Sequence, residues 1–330
     1  MIRHTVEARD DMVVMMEPQW QRLWEKSAIG RRLDNGGLHL LPEEVIFCYH
    51  HRHQTLPTEE WIQVNLNLDS DLEARFLILE ALRVPGNLII LTKHNHCSKW
   101  QISPNSWALR WHKESHPDNS EPTAEIRWHY SSEKIDWTEL LNWTTAVINN
   151  HRIPEVLVID DEGSIVTYEL SISEPQGTLS FDIDSFSECI TDSERNWYSL
   201  EKWEFDHVGI PTRWGHRLNP SETTLIETEN VSITSTVHLD LLSRGLALRS
   251  GFKYGTHWRA YSGPVGKDHA PYLIDTPDNA PKTWAKACLS ARLAAGVNKN
   301  LLIAIEDDQI RYLQLERPPS DRRWTNIHRR

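Results

Sequence analysis

The sequence lacks a long apolar run and has few cysteines, and both absences limit the kind of protein it encodes. No stretch approaches the roughly 18 apolar residues that a membrane-spanning helix needs. Residues 1–7 carry charges where a signal peptide would be apolar. The cysteines are far apart and form no CxxC pair: Cys48, Cys97, Cys189 and Cys288. This usage is typical of reduced thiols rather than of a disulfide framework, so we expect a cytoplasmic protein that does not enter a membrane.

Charge is distributed unevenly along the 330 residues. The formal net charge is -12, which argues against a nucleic-acid partner. Residues 249–330, however, carry 14 Lys and Arg against 8 Asp and Glu, whereas the preceding 248 residues carry 21 against 39. An acidic body with a basic end is compatible with a protein that binds a polyanion on one surface. A chance excess beside the arginine-rich end of the chain is the alternative interpretation.

The chain is about twice the usual length of a domain, which predicts two or more cores, and its segments recur in the same order. LLPEE at 40–44 resembles LNPSE at 218–222, and each predicts the start of a helix with Pro in the first turn. EVLVIDD at 155–161 likewise resembles LLIAIED at 301–307, and each predicts the first strand of a buried hairpin. We interpret the recurrence as a tandem duplication with its join near 174–177. Chance similarity of α/β segments is the alternative.

A helix is predicted before each hairpin. In the first copy, Asp136 and Glu139 can cap a helix that continues to Ile148. In the second copy the helix runs from about Pro281 to Ala295, and Gly296 is placed to end it. The sequence therefore predicts an α+β (mixed α/β) fold in which each copy has a helix-rich N-terminal subdomain and a small mixed-sheet subdomain. The predicted bounds are 1–85 and 86–173 for the first copy and 174–247 and 248–330 for the second.

The second copy contains a series of specific motifs. They are GFKYG at 251–255, WRAY at 258–261, DHAPYLI at 268–274 and NKN at 298–300 before a buried strand. This series resembles the archaeal tRNA-splicing endonucleases, well over residues 214–316 and weakly over the first copy. It also resembles the branch of that family in which one chain carries a degenerate copy followed by an active copy and two such chains pair. Two departures are that Trp258 stands at a usual Phe and that Asn300 follows the Lys where a second basic residue is common.

The resemblance implies that Tyr261, His269 and Lys299 cleave precursor tRNA at bulge-helix-bulge sites, without a metal or other cofactor, to give 2′,3′-cyclic phosphate and 5′-OH ends. Such cleavage needs a base for the 2′-OH proton, an acid for the departing 5′-oxygen and a cation near the developing charge. Histidine suits the acid because it titrates near neutral pH. A free phenol ionises near pH 10, so a tyrosine base needs a nearby cation such as Lys299. Taken singly, each residue would be interpreted as a packing or surface group.

The resemblance also implies an RNA-binding role for two arginines. Arg292 lies seven residues before Lys299, on the helix predicted before the second hairpin. In the family, an Arg at this spacing pinches an unstacked base together with a second Arg near the C-terminus, for which Arg311 is the candidate and Arg317 the reserve. Guanidinium planes stack well on unpaired bases. The alternative for each is a solvated surface arginine.

Assembly as a homodimer is a further implication. The family uses an acidic loop to dock into a polar groove of the partner chain, and here Asp160, Asp161 and Glu162 occupy that place. An ordinary solvated turn is the alternative. The first copy is expected to be structural, since alignment of the copies puts Trp111 opposite Tyr261, about Thr123 opposite His269 and Ile153 opposite Lys299.

Two other functions stay open at this point. The first is a noncatalytic RNA-binding or assembly subunit of an RNA-processing complex, against which the complete Tyr/His/Lys set argues. The second is a zinc-dependent RNA-processing enzyme that uses the Cys/His clusters at 48–53 and 94–97. Zinc favours Cys and His ligands, but these spacings match no common zinc motif, so no metal site is predicted.

Overall fold

The computed structural model describes residues 2–3, 13–16, 19–34, 37–94, 99–182, 190–191, 196–198, 205, 207–213, 215–223, 225 and 232–325. The chain divides into two compact units. Unit 1 consists of Met1–Glu133, Trp143–Leu170 and Pro318–Arg330, and unit 2 consists of Lys134–Asn142 and Ser171–Arg317. The mixture of helices and sheets confirms the predicted α+β class. Among the described residues, no helix is long and apolar enough to cross a membrane.

The front part of unit 1 is rich in helices and carries a small antiparallel sheet of order β1-β2-β4-β3. Its strands are β1 (Ile2–Arg3), β2 (Val13–Met16), β3 (Arg31–Leu33) and β4 (Gly37–Leu40). Its helices are α1 (Gln19–Ser27), α2 (Pro42–Arg52), α3 (Trp61–Leu68) and α4 (Leu72–Arg83). Helix α2 packs against α4. The buried apolar residues of both helices belong to one core, which also includes residues 88–91.

The back part of unit 1 is built on a larger sheet. Its strands are β5 (Leu88–Leu91), β6 (Ala108–Trp111), β7 (Ala124–Tyr130), β8 (Ile153–Ile159) and β9 (Ile165–Ser173), of which the part up to Leu170 belongs to unit 1. Helix α5 (Trp137–Asn149), which belongs to unit 1 from Trp143 onward, follows β7 and precedes β8 in the chain. The strands are paired in sequence order, antiparallel except for β7 and β8, which are parallel.

Unit 2 repeats this plan. Its small sheet has the order β10-β11-β13-β12 and consists of β10 (Ile190–Thr191), β11 (Asn196–Tyr198), β12 (Ile210–Pro211) and β13 (His216–Arg217). Two helices follow, α6 (Pro220–Thr223) and α7 (Ile233–Ser243). The larger sheet consists of β14 (Ala247–Ser250), β15 (Trp258–Tyr261), β16 (Tyr272–Asp275), β17 (Asn300–Glu306) and β18 (Ile310–Glu316), with α8 (Trp284–Gly296) between β16 and β17. Here too only the pair joined by the helix, β16 and β17, is parallel.

Two buried glutamates share one hydrogen-bonding arrangement in the two units. The Glu44 carboxylate accepts hydrogen bonds from the backbone N–H groups of Gly30 and Leu41, each at 3.0 Å. The Glu222 carboxylate accepts the same two kinds of bond, from Gly209 at 2.9 Å and Asn219 at 2.7 Å. Each glutamate lies in the first turn of a helix that begins with proline, as the sequence predicts. The shared arrangement supports the duplication, which stays a prediction.

The helix before β17 begins later than predicted. Residues 281–283 precede the helix, and α8 starts at Trp284 after Thr283 in an extended conformation. Its buried face consists of Trp284, Ala287, Cys288, Ala291 and Ala294. Gly296 is the last helical residue rather than the stop, and the left-handed position falls at Asn298, with φ 53°. Because asparagine tolerates this conformation, the chain can turn directly from α8 into β17.

Candidate catalytic site

The predicted catalytic residues lie at, or in the loops next to, the ends of three neighbouring strands of the larger sheet of unit 2. Tyr261 is the last residue of β15, and the antiparallel pairing of Ala260 with Tyr272 puts it beside the start of β16. His269 lies three residues before that start. Lys299 directly precedes β17, whose first residue pairs in parallel with Tyr272. Functional groups at strand ends are held by the sheet yet face the loops, where a substrate can reach them.

Lys299 is fixed by the C-terminus of α8. Its backbone N–H donates to the carbonyl of Ala294 at 3.0 Å, in the last turn of the helix. The left-handed Asn298 directly before it aims the chain into β17. The Lys299 side chain is half-buried, so its ammonium is partly accessible at the start of β17.

The loop that carries His269 is tied to Lys299. The Lys299 Nζ donates a hydrogen bond to the carbonyl of Ala270, the residue after His269. One residue further, the Asn300 N–H donates to the Pro271 carbonyl at 2.9 Å. His269 itself is exposed. The arrangement therefore combines a positioned cation with an imidazole that solvent or a substrate can reach.

Two neighbours of the predicted residues were not singled out from the sequence. The Arg259 guanidinium carbon lies 5.7 Å from the centre of the Tyr261 ring, and the Lys299 Nζ lies 5.7 Å from the centre of the Tyr254 ring. Both are cation–π distances. The period-2 pattern of a strand could have identified Arg259, because residues 259 and 261 point to the same face. The sequence carries no comparable signal for Tyr254, since its contact joins separate elements.

The predicted RNA-binding arginines lie in different places. Arg292 is exposed on α8. Arg311 lies near the start of β18, where its guanidinium is 3.7 Å from Asp307. Arg317, the reserve candidate, lines a cavity of about 190 Å³ together with Lys299. Arg311 is not among the residues that line this cavity, and the role of Arg311 stays a prediction.

Strand register corrects the alignment of the two copies by one or two residues. The residue before β8 is Arg152, so Arg152 rather than Ile153 corresponds to Lys299. Counting back from β7 in the same way puts Glu121 rather than Thr123 at the place of His269. The loops before these strands differ in length, and sequence alignment alone could not fix where the difference falls. Trp111 stays opposite Tyr261.

These corresponding residues of unit 1 form an ion-paired cluster. The Arg152 guanidinium is 2.8 Å from the Glu125 carboxylate and 3.7 Å from that of Glu121, and it donates to the Gln101 carbonyl at 2.5 Å. Glu125 is fully buried. Unit 1 therefore has a neutralised arginine where unit 2 has the lysine, which agrees with a structural role for the first copy.

The predicted docking turn contains residues with two different tasks. One carboxylate oxygen of Asp160 accepts hydrogen bonds from the N–H groups of Glu162 at 3.0 Å and Ser164 at 2.7 Å. Gly163 closes the turn at φ 80°. Asp161 and Glu162 are exposed. Asp160 thus holds the shape of the turn, and the other two carboxylates are available to a partner.

The Cys/His clusters have other partners in the structure. His51 bonds to Glu80 at 2.6 Å and His94 to Glu44 at 2.8 Å. Burial raises the pKa of the Cys48 thiol to about 12, which disfavours the thiolate that binds zinc. Among the described residues, no three His, Cys, Asp or Glu side chains are grouped so that they could hold a metal ion. Residues 95–97 lie outside the described part of the chain.

Comparison with known proteins identifies relatives of this chain. Residues 233–312 match the family model described as tRNA intron endonuclease, catalytic C-terminal domain. A tRNA-splicing endonuclease of Thermoplasma volcanium is 31% identical over 164 residues, 48% of this chain and 53% of the relative. That of Picrophilus torridus is 26% identical over 163 residues, 49% and 55% of the two chains. That of Methanosarcina acetivorans is 23% identical over 310 residues, 78% and 87%. The chain thus spans about half the length of the first two relatives.

Proposed function

We propose that this chain, whose residues 233–312 belong to the tRNA intron endonuclease catalytic domain family, cleaves precursor tRNA at intron boundaries. The observation that carries the proposal is the placement of Tyr261 at the end of β15, Lys299 directly before β17 and His269 in the loop before β16, three neighbouring strands of that domain. The positive charge balance of residues 249–330 supports a polyanionic substrate.

Each of the three residues takes one task in the proposed reaction. Tyr261 accepts the proton of the 2′-OH as that oxygen attacks the adjacent phosphorus, and His269 gives a proton to the departing 5′-oxygen. The products are a 2′,3′-cyclic phosphate and a 5′-OH end. Lys299 stabilises the extra negative charge of the phosphorane. Its contacts with the Ala270 carbonyl and the Tyr254 ring hold the ammonium in place before the substrate arrives. No step requires a metal.

The rest of the chain takes supporting tasks in this proposal. Unit 1 is a duplicated, structural copy, and two chains form a homodimer through the acidic turn of Asp160, Asp161 and Glu162. Arg292 and Arg311 bind an unstacked base of a bulge-helix-bulge substrate. The protein acts in the cytoplasm.

An end-group assay tests the proposal. Purified protein is incubated with an intron-containing precursor tRNA in EDTA, and the ends of the products are identified. We expect exon and intron fragments with 2′,3′-cyclic phosphate and 5′-OH ends. A substrate whose bulges are replaced by paired bases is the control and should stay uncut. Tight binding without cleavage would instead favour the noncatalytic assembly subunit, and activity that EDTA removes and zinc restores would favour a metal enzyme.

A further inference from the structure

Phe252 is the most exposed large hydrophobic residue in the described part of unit 2, with 87% of its surface accessible. It begins a 3₁₀ turn, Phe252–Tyr254. Single exposed apolar side chains are common on proteins, but a phenyl ring has a large apolar surface that normally gains from burial. The exposed Phe252 ring is therefore a candidate contact for a binding partner.

The turn that carries Phe252 is rigid. The Gly251 N–H donates to the His257 carbonyl at 3.0 Å, and the Tyr254 N–H donates to the Gly251 carbonyl at 2.7 Å. A Cβ atom on Gly251 would lie 2.4 Å from the Thr256 hydroxyl oxygen, so the chain closes tightly there. Gly255 ends the turn at φ 70°, a conformation that favours glycine. The exposed ring is thus held by a fixed backbone.

The turn lies beside the catalytic lysine. The Tyr254 ring centre is 5.7 Å from the Lys299 Nζ, and the turn packs against α8. Consecutive Cα atoms are about 3.8 Å apart, so the Cα atoms of Phe252 and Tyr254 are at most about 7.6 Å apart. Lys253 between them is exposed. An aromatic face and a cation therefore stand next to the proposed site of phosphate chemistry.

We propose that Phe252 is a base-stacking residue: its ring stacks on an unpaired base next to the bond that is cut, and Lys253 contacts the adjoining phosphate. This inference rests on the proposed RNA cleavage. Unpaired bases in RNA are recognised by stacking on aromatic side chains, with cations along the backbone. The two lysines at and beside the turn favour a nucleic acid over an apolar protein segment. Phe252 positions the substrate and takes no part in proton transfer.

Binding and fluorescence measurements test this role. The His269→Ala protein, which is expected to bind precursor tRNA without cutting it, is titrated with precursor tRNAs. Each of these carries 2-aminopurine at one unpaired position. We expect the fluorescence to change on binding at one position next to a cut site, and Phe252→Ala to remove that change. Phe252→Ala should weaken binding about 5- to 150-fold, the range for loss of one base–aromatic stack. Phe252→Trp should restore both signals and Phe252→Leu should not. Leu68→Ala, at a residue 75% exposed in unit 1, is the matched control and should bind normally.

The possible outcomes separate the stacking role from its premise. Wild-type protein that does not cut precursor tRNA overturns the proposed function, and the stacking role with it. If wild type cuts but Phe252→Ala binds as tightly and keeps the fluorescence change, only the stacking role is wrong. If Phe252→Leu restores function as well as Phe252→Trp, or if Phe252→Ala changes the mass measured by light scattering, the ring is a protein contact instead.

Discussion

Arg110 and Glu155 form a buried, bidentate ion pair in unit 1. The corresponding positions of unit 2 carry apolar residues. The Arg110 Nη2 and Nε donate to the two Glu155 oxygens at 2.6 and 2.8 Å. The Trp324 ring covers the guanidinium at 5.1 Å. By strand register the corresponding residues of unit 2 are Ala260 and Leu302, both buried. The two sheets thus share a topology and differ in the chemistry of their interiors.

The ion pair of Arg110 and Glu155 should contribute to the stability of unit 1. Arg110→Ala leaves the Glu155 carboxylate buried without its cation, and we expect the free energy of unfolding to fall by about 3–5 kcal/mol. Arg110→Ala with Glu155→Leu, the residues of unit 2, should recover most of that loss because no buried charge remains. Urea unfolding followed by circular dichroism measures both. A double variant no more stable than the single one would contradict this account.

Replacement of His269 should separate binding from chemistry. Because His269 is exposed, His269→Ala should fold normally and bind precursor tRNA with nearly wild-type affinity. Cleavage should fall by about 10²–10⁴-fold or more, the usual contribution of a proton-transfer group. Single-turnover cleavage and a filter-binding assay on the same preparation measure the two effects. A cleavage rate within threefold of wild type would refute the assignment.

Replacement of Lys299 should affect the chemical step in a graded way. Lys299→Ala removes the cation and should reduce single-turnover cleavage by a large factor. Lys299→Arg should recover only part of it, because a planar guanidinium replaces a compact ammonium that here donates to the Ala270 carbonyl. Lys286→Ala, at an exposed residue of α8, is the control for loss of positive charge. Equal activity of the Arg variant and wild type would mean that charge alone matters.

Local patterns in the sequence predicted much of this structure. Proline followed by carboxylates marked the starts of α2 and α6, and acidic ends of apolar runs marked the hairpins of β8 and β17. The motifs around Tyr261, His269 and Lys299 identified the strand ends that meet. These features are local because turn and capping chemistry acts within a few residues.

Features that depend on register were not predictable. The match of Arg152 to Lys299 follows from the pairing of β7 with β8, which the sequence does not reveal. Arg110 and Glu155 are charged residues in strands, a pattern that ordinarily indicates exposure. Their burial becomes clear only when the strands are assembled and each charge meets its partner. The exposure of Phe252 was equally hidden, because an apolar residue in a motif suggests packing.

Asp275 makes stability depend on pH. Its side chain is buried and accepts a hydrogen bond from the backbone N–H of His257 at 2.8 Å. Burial raises its pKa to about 6, against about 3.9 in an unfolded chain. Between these values the folded state binds more protons, so this carboxyl lowers stability as pH rises from about 4 to about 6, by roughly 3 kcal/mol. Asp275→Asn should therefore unfold at a higher temperature than wild type at pH 7 and near the same temperature at pH 4. A difference that does not change with pH would contradict the shift.

The acidic turn of unit 1 is predicted to hold the dimer together. A precursor with two splice sites needs two active centres, and the chain carries one Tyr/His/Lys set, so two chains should meet about a two-fold axis. Asp160 shapes the turn, whereas Asp161 and Glu162 are exposed, so Asp161→Lys with Glu162→Lys should dissociate the dimer and weaken cleavage without unfolding the chain. Asp307→Lys with Asp308→Lys reverses the same charge in the exposed turn of unit 2 and should leave the dimer intact. Light scattering measures the mass of each protein. A wild-type monomer of 38.4 kDa that cuts both sites would contradict the dimer. A variant of Asp161 and Glu162 that keeps the mass of the dimer would contradict the role of the turn.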